Sequence, residues 1–361
     1  MRLAKLRQSL VEHELDAILI TQPENRRYLS GFTGSAGVLL ISGEAAMLAT
    51  DFRYYEQAEK QAPDFELVKI TAERKLKDLL PEMIERARAR RLGFESVHLT
   101  VAQYEEWREA TASSGVEWVA TRNIVERLRA IKDEAEIELI RRAVALADAA
   151  FAHIVEFIRP GMTEKEVAWE LEAFMRTHGA EKVAFDIIVG SGPNGAMPHA
   201  RTGERCIRAG EPIVMDLGAR VDGYHSDLTR TVVLGQPDDK FRQIYDLVLQ
   251  AQLAAEKGVR PGMTNKEADR LARQIIEEAG YGEQFGHGLG HGVGLAVHER
   301  PTVSHAAPEE EPLQVGMVFT VEPGIYLPGW GGVRIEDMVL LREDGAEVLS
   351  AASKETGVIP L

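Results

Sequence analysis

Cysteine is nearly missing from this sequence. Cys206 stands alone in 361 residues, so no disulfide can form within the chain, and nothing favours an oxidising compartment. There is also no run of the roughly 20 apolar residues that a membrane helix needs. The opening stretch MRLAKLRQSLVEHELDAILI puts Glu12, Glu14 and Asp16 where a signal peptide would need an unbroken apolar segment. A cytoplasmic protein without membrane contact is the expectation. Positive charge is in deficit, with 42 Lys and Arg against 57 Asp and Glu and a net charge of −15. Nucleic acid is therefore not an expected partner, because a phosphate backbone calls for clustered cations. Long Pro, Ser or Gln tracts are lacking too, and 45% hydrophobic with 27% charged residues is ordinary for a folded chain.

The length is enough for two domains at about 100 to 200 residues each. Over the first third, short apolar runs at 17–20, 38–41, 45–49 and 67–70 alternate with helix-like segments near 73–90 and 101–112. That alternation predicts an α/β domain. A charged, helix-forming stretch follows over 123–158, with Ile131, Ile137, Ile140, Val144 and Leu146 near helical spacing. The boundary is placed at its start, giving an N-terminal domain over 1–122 and a second domain over 123–361.

The second part contains an echo. Arg159-Pro-Gly-Met-Thr163 recurs 101 positions later as Arg260-Pro-Gly-Met-Thr264. Thr163 with Glu166, and Thr264 with Glu267, each fit a capping box that satisfies orphan N–H groups at a helix start. The phrase could simply be a good helix opening used twice, but five identical residues favour duplicated half-domains. Each copy is followed by a histidine at similar remove, His199 and His298. Each half then brings two carboxylates, Asp216 and Asp227 in the first and Glu322 and Glu336 in the second.

Residues 212–234, PIVMDLGARVDGYHSDLTRTVVL, read as a hairpin turning at Asp222-Gly223, a dipeptide suited to the left-handed angles of a type I′ turn. That turn sets Asp216 opposite Thr229 and makes Asp227 its diagonal neighbour on the same face. Diagonal carboxylates can reach inward to share a pair of cations about 3.5 to 4 Å apart. Solvent-facing acids are the alternative, yet Asp216 sits among Ile213, Val214, Met215 and Leu217, where an uncompensated carboxylate is costly. Further on, GHGLGHGVG over 286–294 holds His287 and His291 among glycines, which bar a stable helix and let backbone pack closely round a ligand. By itself such a run is equally a flexible loop. The strand-like segment 333–341 then puts Arg334 and Glu336 on one face of an otherwise apolar strand, as a buried ion pair would require.

Taken in order, MDLG, SDLTR, GHGLGHGVGL, VHE, VEPGIY and RIED resemble the pita-bread metallopeptidases, a family that includes methionine aminopeptidase, aminopeptidase P and prolidase. The resemblance covers nearly the whole chain. It implies an α/β N-terminal domain followed by an α+β pita-bread domain with pseudo-twofold duplicated halves. It also implies metal ligation by Asp216, Asp227, His291, Glu322 and Glu336. His199 and His298 are implied as substrate and transition-state contacts, His287 as a further contact, Arg334 as support for the metal-bound carboxylates, and Glu322 as proton carrier to the leaving amine. An oxygen-rich set with one imidazole suits two ions of Mn²⁺ or Co²⁺, with Zn²⁺ or Fe²⁺ left open.

The large N-terminal domain favours cleavage of Xaa-Pro bonds over methionine removal, so the expected partners are peptides with proline in second place. The segments 31–37 and 50–58 lean the reading toward aminopeptidase P, with Xaa-Pro dipeptidase (prolidase) as the alternative. A non-catalytic peptide-binding module of the same fold is an alternative of another class, and the full ligand set argues against it. Family habit further implies a homodimer.

Overall fold

Every side chain of the strand Ala17–Ile20 is buried, and a strand of that kind needs neighbours on both edges and cover on both faces. It lies inside a six-stranded sheet ordered Glu66–Ile70, Ala46–Asp51, Val38–Ser42, Ala17–Ile20, Arg91–Glu95, Glu117–Thr121. Pairing is antiparallel between Ala17–Ile20 and Val38–Ser42, and parallel to Arg91–Glu95. The helices Leu76–Arg86 and Val101–Ala110 supply Leu79, Leu80, Met83 and Trp107 to its core. This sheet and its helices form the first of two units, Met1–Arg129 and Ala130–Leu361, in a computed structural model that describes residues 2–308, 310–355 and 357–361.

The helix-forming stretch expected over 123–158 is divided into Ile124–Ala130 and Glu134–Phe157. Asp133 accepts from the Glu136 N–H while the Glu136 carboxylate accepts from the Asp133 N–H. This capping box starts a new helix and overrides the apolar periodicity that runs through it.

The second unit is built of two like halves. In the first, Glu134–Phe157 and Glu164–Thr177 pack through Ile154, Leu171 and Met175 on a sheet ordered Val358–Ile359, Leu228–Leu234, Pro212–Leu217, Ile188–Ser191. In the second, Asp239–Gly258 and Asn265–Glu278 pack through Val248, Ala272 and Ile276 on a sheet ordered Glu299–Val303, Gly290–Gly292, Val318–Val321, Asp337–Arg342, Gly345–Val348. The echoed pentapeptides are wired alike. Gly161 N–H donates to Ile207 O, Ile207 N–H to Met162 O and Glu164 N–H to Arg205 O. Their counterparts are Gly262 to Leu313, Leu313 to Met263 and Asn265 to Glu311. Thr163 and Thr264 each cap the following helix in a capping box, each cap contributing about 1 kcal/mol. The duplication is thus a property of the fold. Among the described residues no helix is long and apolar enough to cross a membrane.

Candidate metal centre

The hairpin turns at Asp222 and Gly223, with φ of 43° and 76°, the left-handed pair that a type I′ turn needs. Its register sets Asp216 against Thr229, as the sequence predicts. The ladder is interrupted at Gly218, where a Cβ would lie 2.1 Å from Ser226 O. No side chain fits there, and the strands on either side of the gap keep one register. In the other half, His291 lies on Gly290–Gly292 between two close strands. A Cβ on Gly290 would meet Thr320 O at 2.0 Å, and one on Gly292 would meet Arg300 O at the same distance. The glycines around His291 are thus required by close backbone packing, not by flexibility. Glu322 follows directly on Val318–Val321, and Glu336 lies between the strands Gly331–Arg334 and Asp337–Arg342.

These acids converge. One ligand atom from each of Asp227, His291 and Glu336 lies within 4.8 Å of the others. His291 Nε2 is 3.6 Å from Asp227 Oδ2 and 3.4 Å from Glu322 Oε1. Burial first, then the surrounding carboxylates, pushes Asp227 and Glu336 well above the ordinary range, and burial also raises Glu322. Burial lowers His291, so its imidazole is neutral. Its Nδ1 faces Gly292 O at 3.2 Å; a carbonyl only accepts, so Nδ1 carries the proton and Nε2 turns a lone pair toward the acids. Asp216 Oδ1 is buried with no hydrogen-bond partner. A lone pair, an orphaned carboxylate oxygen and mutually repelling acids in one place are the donor set of a divalent cation site.

Arg334 ties the cluster together. It donates to Asp216 Oδ2 at 2.6 Å, to Thr229 Oγ1 at 3.0 Å, to Tyr326 Oη at 2.9 Å and to Pro198 O at 3.1 Å. Thr229 Oγ1 in turn donates to Glu336 Oε2 at 2.7 Å, and Thr320 Oγ1 to Glu322 Oε1 at 3.0 Å. Tyr326 Oη bonds His287 Nε2 at 2.9 Å, while His287 Nδ1 faces Gly288 O at 2.8 Å. Both nitrogens of His287 are therefore engaged by protein. The His298 ring lies 4.1 Å from that of His291, and burial lowers its pKa.

A single cavity of about 480 Å³ is lined by every residue singled out from the sequence: His199, Asp216, Asp227, His287, His291, His298, Glu322, Arg334 and Glu336. Sequence reasoning gave no role to Tyr326, Thr229 or Thr320, which orient Arg334 and the carboxylates. Thr229 had a signal, since the hairpin register already placed it across from Asp216. Phe185, Asp186, Ile188, Thr302 and Ser304 also line the wall, and only the fold brings them there.

The sequence profile of Metallopeptidase family M24 matches residues 138–343, and that of the Creatinase/Prolidase N-terminal domain matches residues 2–131. The chain is 41% identical to an Xaa-Pro dipeptidase of Pyrococcus furiosus, over 98% of this chain and 99% of that one. A solved structure named Xaa-Pro dipeptidase from Bacillus anthracis is 45% identical, with a TM-score of 0.95 over 100% of this chain and 99% of its own. An X-Pro aminopeptidase structure from Thermotoga maritima is 39% identical, with a TM-score of 0.87 over 96% and 98%. With the acid cluster in its second unit and a matching profile for each unit, the chain belongs to metallopeptidase family M24 and carries a creatinase/prolidase-type N-terminal domain.

Proposed function

We propose that this metallopeptidase is an Xaa-Pro dipeptidase whose Asp216, Asp227, His291, Glu322 and Glu336 hold two divalent cations, Mn²⁺ or Co²⁺ by preference. The observation that carries the reading is the convergence of buried carboxylates from both halves on the lone pair of His291. It stands in a chain similar over nearly its whole length to proteins named Xaa-Pro dipeptidase. Those relatives shift the weight from aminopeptidase P, toward which the sequence leans, to dipeptide hydrolysis. Trimming of longer peptides is the second reading, favoured by the Thermotoga maritima neighbour.

Held by these five residues, divalent cations would supply Lewis-acid polarisation of a peptide carbonyl and lower the pKa of a bound water. The protein's own groups do the rest. His298, neutral because burial lowers its pKa, and His199 offer ring N–H donors to the carbonyl oxygen as it gains charge. Glu322, raised by burial, carries a proton toward the departing proline nitrogen. His287, with both nitrogens engaged, presents its ring to the substrate and keeps Tyr326 and Arg334 in place. The full acid set argues against a non-catalytic binding module.

The test is turnover of Gly-Pro against Arg-Pro-Pro by the Mn²⁺-loaded protein, with a chelator-stripped control. Metal-dependent preference for the dipeptide supports the dipeptidase. Preference for the tripeptide supports the aminopeptidase, and no metal-dependent turnover of either overturns both.

A further inference from the structure

The first helical residue after each cap threonine is polar and buried: Glu164, 0% exposed, in the first half and Asn265, 3% exposed, in the second. First-turn acids usually face water and complement the helix dipole from outside. Glu164 instead turns inward and is fully used. Its Oε1 accepts from Ser191 N–H at 2.8 Å, Ser191 Oγ at 2.7 Å and Asn194 Nδ2 at 3.0 Å. Its Oε2 accepts from Asn194 Nδ2 at 3.1 Å and Gly203 N–H at 3.2 Å.

Ser191 and Gly203 flank the segment that carries His199 into the cavity, so one carboxylate fastens both of its ends. The middle is fastened by Arg334 through Pro198 O. The His199 ring has no hydrogen-bond partner among the described residues and is exposed to the cavity. Its place is therefore set by the backbone that bears it. Asn265 is the counterpart in the duplicated half. Its Nδ2 donates to Thr302 O at 2.9 Å and its Oδ1 accepts from Glu311 N–H at 3.3 Å. Thr302 lies four residues beyond His298 and is the cross-strand partner of His291.

We propose that Glu164 is a positioning residue for His199, and that Asn265 does the same for the strand following His298. Each duplicated helix start uses its first side chain to hold a histidine-bearing segment against the cavity. A carboxylate suits the first half because every group it meets there is an N–H or O–H donor. An amide suits the second, where the partners include both a carbonyl and an N–H. The functional part of the proposal rests on His199 contacting substrate.

Glu164→Gln keeps the shape but turns an NH₂ group against donors; Asn194→Ala is a milder second variant that removes one donor and leaves Glu164 in place. Both are made in the metal-loaded full chain, alone and combined with His199→Ala, and thermal midpoint and metal content are recorded. Amide hydrogen exchange across 192–202 is expected to quicken about tenfold with the rest of the unit unchanged. Xaa-Pro dipeptide kcat/KM is expected to fall between about tenfold and a hundredfold. In the His199→Ala background, adding Glu164→Gln is expected to cause no further loss, because both act on one element.

Unchanged exchange over 192–202 overturns the positioning. An equal loss in both backgrounds also overturns it, because Glu164 would then act on stability alone. If Glu164→Gln fails to fold, the same cycle on Asn194→Ala decides. Wild-type protein inert toward every Xaa-Pro peptide would refute the proposed function, and the exchange measurement would still judge the positioning by itself.

Discussion

Arg334 Nη2 donates to Asp216 Oδ2 at 2.6 Å, so a residue of one half neutralises an acid of the other while Asp216 Oδ1 remains orphaned and buried. The same guanidinium serves Thr229, Tyr326 and Pro198. A lysine ammonium is a point charge that cannot span these directions at once. Arg334→Lys is therefore expected to weaken metal affinity by about 10- to 100-fold, the usual cost of losing an outer partner of a metal-binding carboxylate. Competition against a metal-sensitive dye measures it, and wild-type affinity would show that Asp216 needs no such support.

Removing the metal makes the acids a liability whose sign is fixed by their pKa values. Asp227, Glu322 and Glu336 are held above their unfolded values by burial first, with the charge of Asp216 adding to each. Their contribution is whole below the unfolded carboxylate pKa of about 4 and is lost as pH rises through the raised folded values. The metal-stripped protein is thus expected to lose stability from about pH 4 upward, and Glu336→Gln to stabilise it at neutral pH while abolishing turnover of the metal-loaded form. Chemical denaturation of both stripped proteins at pH 5 and pH 8 checks this. A stripped Glu336→Gln no more stable than stripped wild type at the higher pH would contradict it.

Behind Glu336 lies a second charged group. Asp337 receives Arg230 at 2.6 Å and also pairs with Lys354, which reaches Glu256 at 3.2 Å. Burial, then Asp337, raises Glu256 from 4.5 to about 8. A raised carboxylate loses its contribution as pH climbs through that window, whereas Asp337, held low, loses its own only as pH falls. Glu256→Gln should accordingly flatten the stability profile of the metal-loaded protein between these two values and leave the acid limb intact. An unchanged slope near neutrality would locate the titration elsewhere.

Lys132 Nζ lies 2.9 Å from Glu299 Oε1, with the side chains 1% and 4% exposed. Breaking a buried ion pair by removing one partner typically costs about 3 to 5 kcal/mol. Lys132→Met is expected to cost that much in urea unfolding, and Glu299 is next to His298, so kcat should fall as well. A loss below about 1 kcal/mol would mean that water or another group compensates.

Much of this site is legible in the sequence because its geometry is local. The Asp222-Gly223 turn fixes which residue faces Asp216. The repeated pentapeptide likewise marks two helix starts and hence two halves. What stays hidden depends on contacts far apart in the chain. The meeting of Asp227 with His291 is set by how the halves face each other, and the cavity wall at Phe185 and Thr302 has no local signature. The break at Asp133 is hidden for a different reason: apolar periodicity continues on both sides of it, and a capping box decides the boundary. Glu164 reads as a first-turn acid of an ordinary helix, and only the fold shows it turned inward.

Elemental analysis of the purified, Mn²⁺-reconstituted protein beside Glu336→Ala, with Xaa-Pro dipeptide turnover measured on the same samples, tests the dinuclear site most directly. Two equivalents per chain in wild type, with both metal content and turnover lost in the variant, is the expected result. Full turnover at one equivalent or less, or in the variant, would contradict it.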